Sequence, residues 1–468
     1  MNRPTEGKPL GTGRLLLLGA TVATVMSALV AVGLLALAKL SGHSPVAVAG
    51  QVLKSLSAGS AVASLEQRVT ALEHAVAALA PPAAALAPPD SSSPASTARL
   101  AAASQPPPMT AAPTPAFPDA AKVAEVDFAP SVAAPTFRGR ELRVCAEKRC
   151  RFKTFVDALE AAKDGDTIRL APGLYGECAN KIKPSIAVIG DIAPDGTRAT
   201  FNTACAGKGA FNFSSSQFLL EGVQIQDIAV SDNNGACVRL QPRAQTSQVA
   251  HLRNVICLRS ENGVMGGVGP EGALIVEGSL LIGNGKDGRA HGIYVNKGRE
   301  VILRDSIVHS TQGSGHSVKV GAHRFIVESS IVAALNGQNS RGIDYYGGGV
   351  LRVVDSVLQQ GPNSSNHDII GLAQEGRRLN LGVPHAAYVS DSWFIYDDPD
   401  RCCRWLLSGR ETGEVVLENN TFVAINGSRL KAFEDRDNRR FDSREAAGLP
   451  AYAPALSALP RPAAWDEG

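Results

Sequence analysis

A small polar residue followed by a hydrophobic or β-branched one returns at Asn254-Val255, Ser279-Leu280, Ser306-Ile307, Ser330-Ile331, Ser356-Val357, Ser392-Trp393 and Asn420-Thr421. The steps are 25, 27, 24, 26, 36 and 28 residues. A unit this short cannot bury an apolar face alone, so successive units must stack into one continuous core. A leucine-rich repeat would need periodic Leu and one Asn per turn, and that pattern is absent. The Gly, Val, Ile, Asn and Asp mix of this half of the chain suits strands. The fold expected is all-β: a right-handed parallel β-helix with one coil per repeat and the Ser and Asn side chains stacked in an internal ladder. The step of 36 implies an insertion of about ten residues within 360–388.

The repeats follow a stretch of different character. Thr154 to Ala162 has a helical period, which changes to strand alternation through Asp164-Gly165 and runs on to Pro172-Gly173-Leu174-Tyr175. This stretch resembles the N-terminal cap of the pectate-lyase-like superfamily. The resemblance implies that an amphipathic helix covers the open end of the coil and that the strand ending in Pro-Gly-x-Tyr is the first rung. Without such a cap the end would be a sticky sheet edge. The β-helix is expected over residues 138–430. Residues 431–468, with Lys431, Arg436, Arg439, Arg440 and Arg444 among acidic neighbours, read as a solvated cap and tail.

The first third of the chain has other work. Leu15 to Ala38 is a run of 24 residues without a charge, about 36 Å as a helix, enough to cross a hydrocarbon core of about 30 Å. Arg3, Lys8 and Arg14 precede it, which places residues 1–14 in the cytoplasm and everything after Lys39 outside. The expectation is a single-pass inner-membrane protein with its C-terminal domain in the periplasm or outside the cell. A signal peptide cleaved after Ala36-Leu37-Ala38 is the alternative, although its apolar region would be unusually long. Val62, Leu65, Val69, Leu72, Val76 and Leu79 form a short coiled-coil seam within 50–80, a route to a homo-oligomer, or else one amphipathic helix lying on the membrane. Residues 81–137 are Pro-, Ala- and Ser-rich and read as a disordered linker.

All eight cysteines lie after residue 144. An even number in an exported chain suggests disulfides. Pairing of neighbours along the chain is the expectation, with Cys237 and Cys257 bridging adjacent rungs and Cys402 joined to Cys403. A metal site would need Cys-x-x-Cys or Cys/His clusters, and none is present.

A second column carries chemistry. His291-Gly292-Ile293-Tyr294, His316-Ser317-Val318-Lys319, Arg341-Gly342-Ile343-Asp344 and His367-Asp368-Ile369-Ile370 align at steps of 25, 25 and 26. Residues one period apart lie on adjacent rungs about 4.8 Å apart. With Ile293, Val318 and Ile343 inward, Tyr294, Lys319 and Asp344 face outward in one file, and His291, His316, Arg341 and His367 line its edge. Lys or Arg there would neutralise a uronate carboxylate, a neutral His or Lys would abstract the proton α to it, and Tyr294 would donate to the leaving oxygen. That is β-elimination, or C5 epimerisation if the carbanion is reprotonated from the opposite face. Catalytic candidates are therefore Lys319, His316, Tyr294, His291, Arg341 and Asp344. His367, Glu375 and Arg377 are substrate-binding candidates, the last two closing over the groove from the inserted loop.

The β-helix superfamily includes pectate and alginate lyases, mannuronan epimerases, polygalacturonases and phage tailspikes. The resemblance implies a Lys or Arg base, frequently with Ca2+; Lys319 is the residue carried over by type. The segments around Gly315-His316, Ser340-Arg341 and Gly361-Pro362 also resemble a group of uncharacterised bacterial β-helix proteins. Those carry a Lys-Ser-Arg-Ala run where this chain has Lys319-Val320-Gly321-Ala322. Hydrolysis would need a cluster of Asp on successive rungs, and Asp344 with Asp368 does not make one. No dense acidic group marks a Ca2+ site. The partner expected is an acidic polysaccharide. A formal net charge of +2 gives no reason to expect nucleic acid. A non-catalytic glycan-binding protein and a structural scaffold of the cell envelope are the alternatives. In the scaffold reading the file holds only cross-rung ion pairs, and replacing Lys319 or His316 changes nothing but stability.

Overall fold

Alternation sets the strands. Glu141–Val144 and Thr167–Leu170 bury every second side chain, and their backbones pair in parallel with Leu142 opposite Ile168 and Val144 opposite Leu170. The pattern repeats through the chain. The structure, a computed structural model, describes residues 129–466 except 244–245, 376–384, 399, 410–412 and 431–433. The expected cytoplasmic tail, membrane span, stalk and most of the linker lie outside the described residues. Among the described residues no helix is long and apolar enough to cross a membrane. The last linker residues are not loose: Ser131 N–H donates to Glu300 at 2.9 Å, and Arg324 donates to the Ala129 carbonyl at 3.0 Å.

Every named strand pairing is parallel, and each turn of the coil supplies up to three strands, for instance Asn262–Gly266, Ala273–Glu277 and Leu280–Ile282. One face is an 11-stranded sheet. The other two are joined because Ile293–Arg304 and Val318–Glu328 run round the corner as single long strands. The chain is a parallel β-helix. Aliphatic side chains from all three faces fill the interior. Towards the N-terminal end Phe155, Phe201, Phe211, Phe213 and Phe218 pack ring against ring instead, Phe213 and Phe218 stacked at 3.5 Å.

The helix Phe155–Ala161 packs on the first two strands with Phe155 and Ala158 fully buried. Thr154 caps it by accepting from Asp157 N–H at 3.1 Å, and Glu177 accepts from the next two free amides, Phe155 and Val156. Such capping contributes about 1 kcal/mol.

The ladder is buried and continuous. The amides of Val255, Ser279, Ser306, Ser330 and Ser356 donate in turn to the hydroxyls of Ser279, Ser306, Ser330, Ser356 and Ser392, at 3.0–3.2 Å. Ser392 and Asn420 continue it to Asn420 and Asn438. One register differs from expectation. Val255, not Asn254, occupies the ladder position, because Ile256 pairs with Leu280. Asn254 sits one place earlier, at the corner, in the left-handed conformation shared by Asp305, Ser329, Asp355, Asp391 and Asn419. Short polar side chains tolerate that conformation, so a small polar residue recurs at two adjacent positions and the repeat can be read one residue out of register.

Three disulfides join neighbours in sequence: Cys145–Cys150, Cys178–Cys205 and Cys237–Cys257. The third does not bridge adjacent rungs. Val238 pairs with Val264, so a full turn is 26 residues; Cys237 and Cys257, 20 apart, face each other across the interior of one coil. Cys402 and Cys403 are free thiols.

The coil also continues past residue 430, with Glu434–Arg436 and Arg439–Phe441 adding strands to both sheets. The tail then doubles back. Arg444 pairs with Asp397, Tyr452 donates to the Leu335 carbonyl, and Trp465 donates to the Ser329 carbonyl, so residues 444–465 lie across several turns.

Candidate functional site

Backbone register brings the outward file together. Met265, Tyr294, Lys319, Asp344, Gly371 and Ser408 stand opposite one another on six successive rungs. Their inward neighbours Val264, Ile293, Val318, Ile343, Ile370 and Leu407 are core residues, which fixes the orientation of the file.

Asp344 is the hub. One oxygen lies 3.2 Å from His316 Nε2 and 3.2 Å from Lys319 Nζ, and the other lies 3.5 Å from Arg341 Nη1. Arg341 also pairs with Asp368 through Nε and donates to Gln374 at 3.3 Å. Ser408 closes the ring, donating to Asp368 at 2.7 Å and accepting from Gln374 at 2.6 Å. Lys319 has a second carboxylate, Glu375, at 3.6 Å and lies over the face of Tyr346 at 4.7 Å. Although the file points away from the core, it is covered: Asp344 is 3 % exposed and Asp368 5 %. Tyr346 and Glu375 pack against Lys319 and Gln374 against Arg341 and Ser408, and of the ion-paired groups Glu375 is the most exposed, its side chain at 38 %.

Gly371 makes the arrangement sterically possible. A Cβ there would lie 3.1 Å from an Asp344 oxygen and 3.2 Å from Arg341 Cδ and Nε. The missing side chain leaves the channel through which Arg341 crosses to Asp368.

The two histidines stack with ring centroids 5.3 Å apart. His316 N–H donates to His291 Nδ1 at 3.0 Å, so the neutral His291 ring carries its proton on Nε2. Burial, with His316 and Lys319 nearby, holds His291 down to about 2. Burial, with Lys319 and Arg341 nearby, likewise holds His316 well below the ordinary histidine value. Both rings are therefore neutral near pH 7. With one proton directed from His316 Nε2 to Asp344, Nδ1 is a bare acceptor, and it is buried without a hydrogen-bond partner among the described residues. Burial and a hydrogen bond with the Tyr294 phenol push Tyr346 well above the ordinary phenol value. Tyr294 lies edge-on to His291 at 5.2 Å.

Of the residues singled out in the sequence, Lys319, His316, Tyr294, His291, Arg341, Asp344 and Glu375 form this one cluster. Arg377 lies outside the described residues. His367 is off the file. Ile343 pairs with Ile370, so Asp368 rather than His367 stands opposite Arg341. His367 Nδ1 instead faces the Cys403 carbonyl at 3.2 Å. The connection before this strand makes the step from Arg341 27 residues, one more than a simple alignment of His with Arg allows. Counting from the inward aliphatic, Ile343 to Ile370, would have found Asp368. Tyr346, Gln374 and Ser408 carry no repeat signal. Among the described residues no group of three or more His, Cys, Asp or Glu side chains could hold a metal ion. Calcium does not fit the file, since Asp344 and Asp368 are already turned towards Lys319 and Arg341.

No family model and no curated protein matches this sequence. Among solved structures the chain is similar to pectate lyase Pel9A, at 13 % identity over 60 % of this chain and 79 % of that one, TM-score 0.33. It is similar to the deglycosylated pectin methylesterase from Aspergillus niger, at 12 % identity over 72 % and 97 %, TM-score 0.35. It is also similar to the A-module of the Azotobacter vinelandii mannuronan C-5 epimerase AlgE4, at 11 % identity over 60 % and 92 %, TM-score 0.34. The fold assignment rests on the sheet register given above.

Proposed function

We propose that this β-helix modifies an acidic polysaccharide by removing the proton α to a uronate carboxylate, leading to β-elimination or C5 epimerisation. The observation that carries the reading is a neutral histidine, oriented by Asp344, beside two cations on adjacent rungs. Lys319 and Arg341 receive the uronate carboxylate. The Glu375 carboxylate, 3.6 Å from Lys319 and partly in solvent, marks where it docks. Charge neutralisation there makes the adjacent C–H acidic and stabilises the enolate that follows.

His316 is the base, and Asp344 stabilises the imidazolium as it forms. With Nε2 held against Asp344, Nδ1 is the ring atom that takes the proton. Tyr294, whose phenol adjoins the pair of rings, protonates the leaving oxygen in elimination or the carbanion in epimerisation. Hydrolysis fits less well, because both buried carboxylates are ion-paired with Arg341 and neither is set as a proton donor to a glycosidic oxygen. In the full chain, residues 15–38 hold this domain at the inner membrane on the periplasmic side, with 50–80 as an oligomerising stalk.

The test is the ultraviolet absorbance of unsaturated uronates released from a panel of acidic polysaccharides by the full-length chain. A rise abolished by His316→Ala and by Lys319→Ala supports elimination with these roles. Binding without chemical change on any uronate polymer supports a non-catalytic glycan-binding protein instead.

A further inference from the structure

Six cysteines are already paired, and the two that remain are neighbours in sequence. Their sulfurs are 2.7 Å apart, with Cys402 exposed and Cys403 partly so. They lie on a loop that is tied to the rim of the candidate site. Arg401 pairs with Asp398 at 2.7 Å and donates to the carbonyls of Ser364, Ser365 and Asn366 at 2.7, 3.3 and 3.5 Å. The Cys403 carbonyl accepts from His367 Nδ1, and Trp405 N–H donates to the His367 carbonyl at 2.7 Å. The next residue, Asp368, holds Arg341.

We infer that Cys402 and Cys403 are a reversible vicinal dithiol–disulfide pair, a redox-sensitive modification site on the rim of the cluster. Closure forms the bond between their sulfurs. The two S–H protons and two electrons pass to a small-molecule or protein disulfide, which leaves as two thiols. The resulting small ring includes the peptide bond between the two residues, so closure changes the setting of the Cys403 carbonyl and with it the anchor of His367. The Cys402 thiol beside it pushes the Cys403 thiol above its ordinary value, so closure by exchange accelerates as pH rises above neutral. The inference does not depend on the polysaccharide reading, since its readout is the state of the sulfurs.

The experiment treats the full-length chain with oxidised glutathione, blocks remaining thiols with a maleimide, and maps the peptide that contains both residues. The expected result is an unlabelled peptide lighter by two hydrogens. Mild reduction then restores two labels there and none on the other six cysteines, and exchange at the Trp405 amide differs between the two forms. Single variants Cys402→Ser and Cys403→Ser each take up one glutathione in place of the internal bond. Two labels surviving oxidation in the parent chain, or glutathione or a second chain attached to either sulfur, would overturn the inference.

Discussion

Asp344→Ala is the perturbation with the largest consequence. The carboxylate is 3 % exposed, and its partners His316, Lys319 and Arg341 keep 12–15 % of their side-chain surface in solvent. This is the regime of buried pairs, where removing one partner costs about 3–5 kcal/mol, rather than of surface pairs near 0–1 kcal/mol. Compensation persists, because Lys319 retains Glu375 at 3.6 Å and Arg341 retains Asp368. The expected loss is therefore at the lower bound, about 3 kcal/mol, or a fall of roughly 4 °C in the unfolding midpoint. Asp344→Asn keeps the shape and one acceptor but loses the charge, so it costs about 1.5–3 kcal/mol. Urea unfolding with a double-mutant cycle against Lys319→Met separates the pair from the rest. The coupling expected is about 1–3 kcal/mol. A coupling within about 0.5 kcal/mol of zero, with Asp344→Ala as stable as the parent, would refute the claim that Asp344 organises a desolvated cluster.

Gly371→Ala forces Arg341 and Asp344 apart by a few tenths of an ångström, and any activity on a uronate polymer should fall about tenfold or more while the chain still folds. Stability should fall on acidification. His291 is held down to about 2 in the folded chain against about 6.5 unfolded, so below pH 6.5 the unfolded state takes up more protons. The stability present above that pH is then lost at up to about 1.4 kcal/mol per pH unit for this histidine, and His291→Gln should flatten the denaturant-midpoint profile between pH 6.5 and 4 by that amount. Ser306→Ala removes the acceptor of the Ser279 amide at 3.1 Å inside the coil and should cost about 1–3 kcal/mol in urea unfolding, with Ser279→Ala similar.

The architecture was legible because the repeat is physical. Each turn puts one small polar group against the preceding rung's amide, and Ser279, Ser306, Ser330, Ser356 and Ser392 record that requirement directly. The file was legible for the same reason, since Ile293, Val318 and Ile343 fix which neighbours point outward. Legibility failed where two positions accept the same residue type or where a connection changes the count. Asn254 suits the ladder by residue type yet turns the corner, and His367 suits the edge of the file by type yet Asp368 stands opposite Arg341 there. The depth of burial was not readable either. Alternation places Asp344 outside the core, yet it is 3 % exposed, with Tyr346 and Glu375 packed against its partner Lys319 and Gln374 against its partner Arg341. Gln374 and Glu375 come from the turn after a strand, where no period constrains them. The closure of Cys237 onto Cys257 across one coil likewise depends on which faces they occupy and not on their spacing alone.

The central claim, proton removal α to a uronate carboxylate, is tested most directly by solvent exchange. The full-length chain is incubated with uronate polymers in deuterated water, and the C5 proton is followed by magnetic resonance. The account predicts loss of the C5 proton signal, through deuterium incorporation or an unsaturated product, with the loss abolished in His316→Gln and Lys319→Met. A C5 proton that stays in place on every uronate polymer bound by the chain would contradict it.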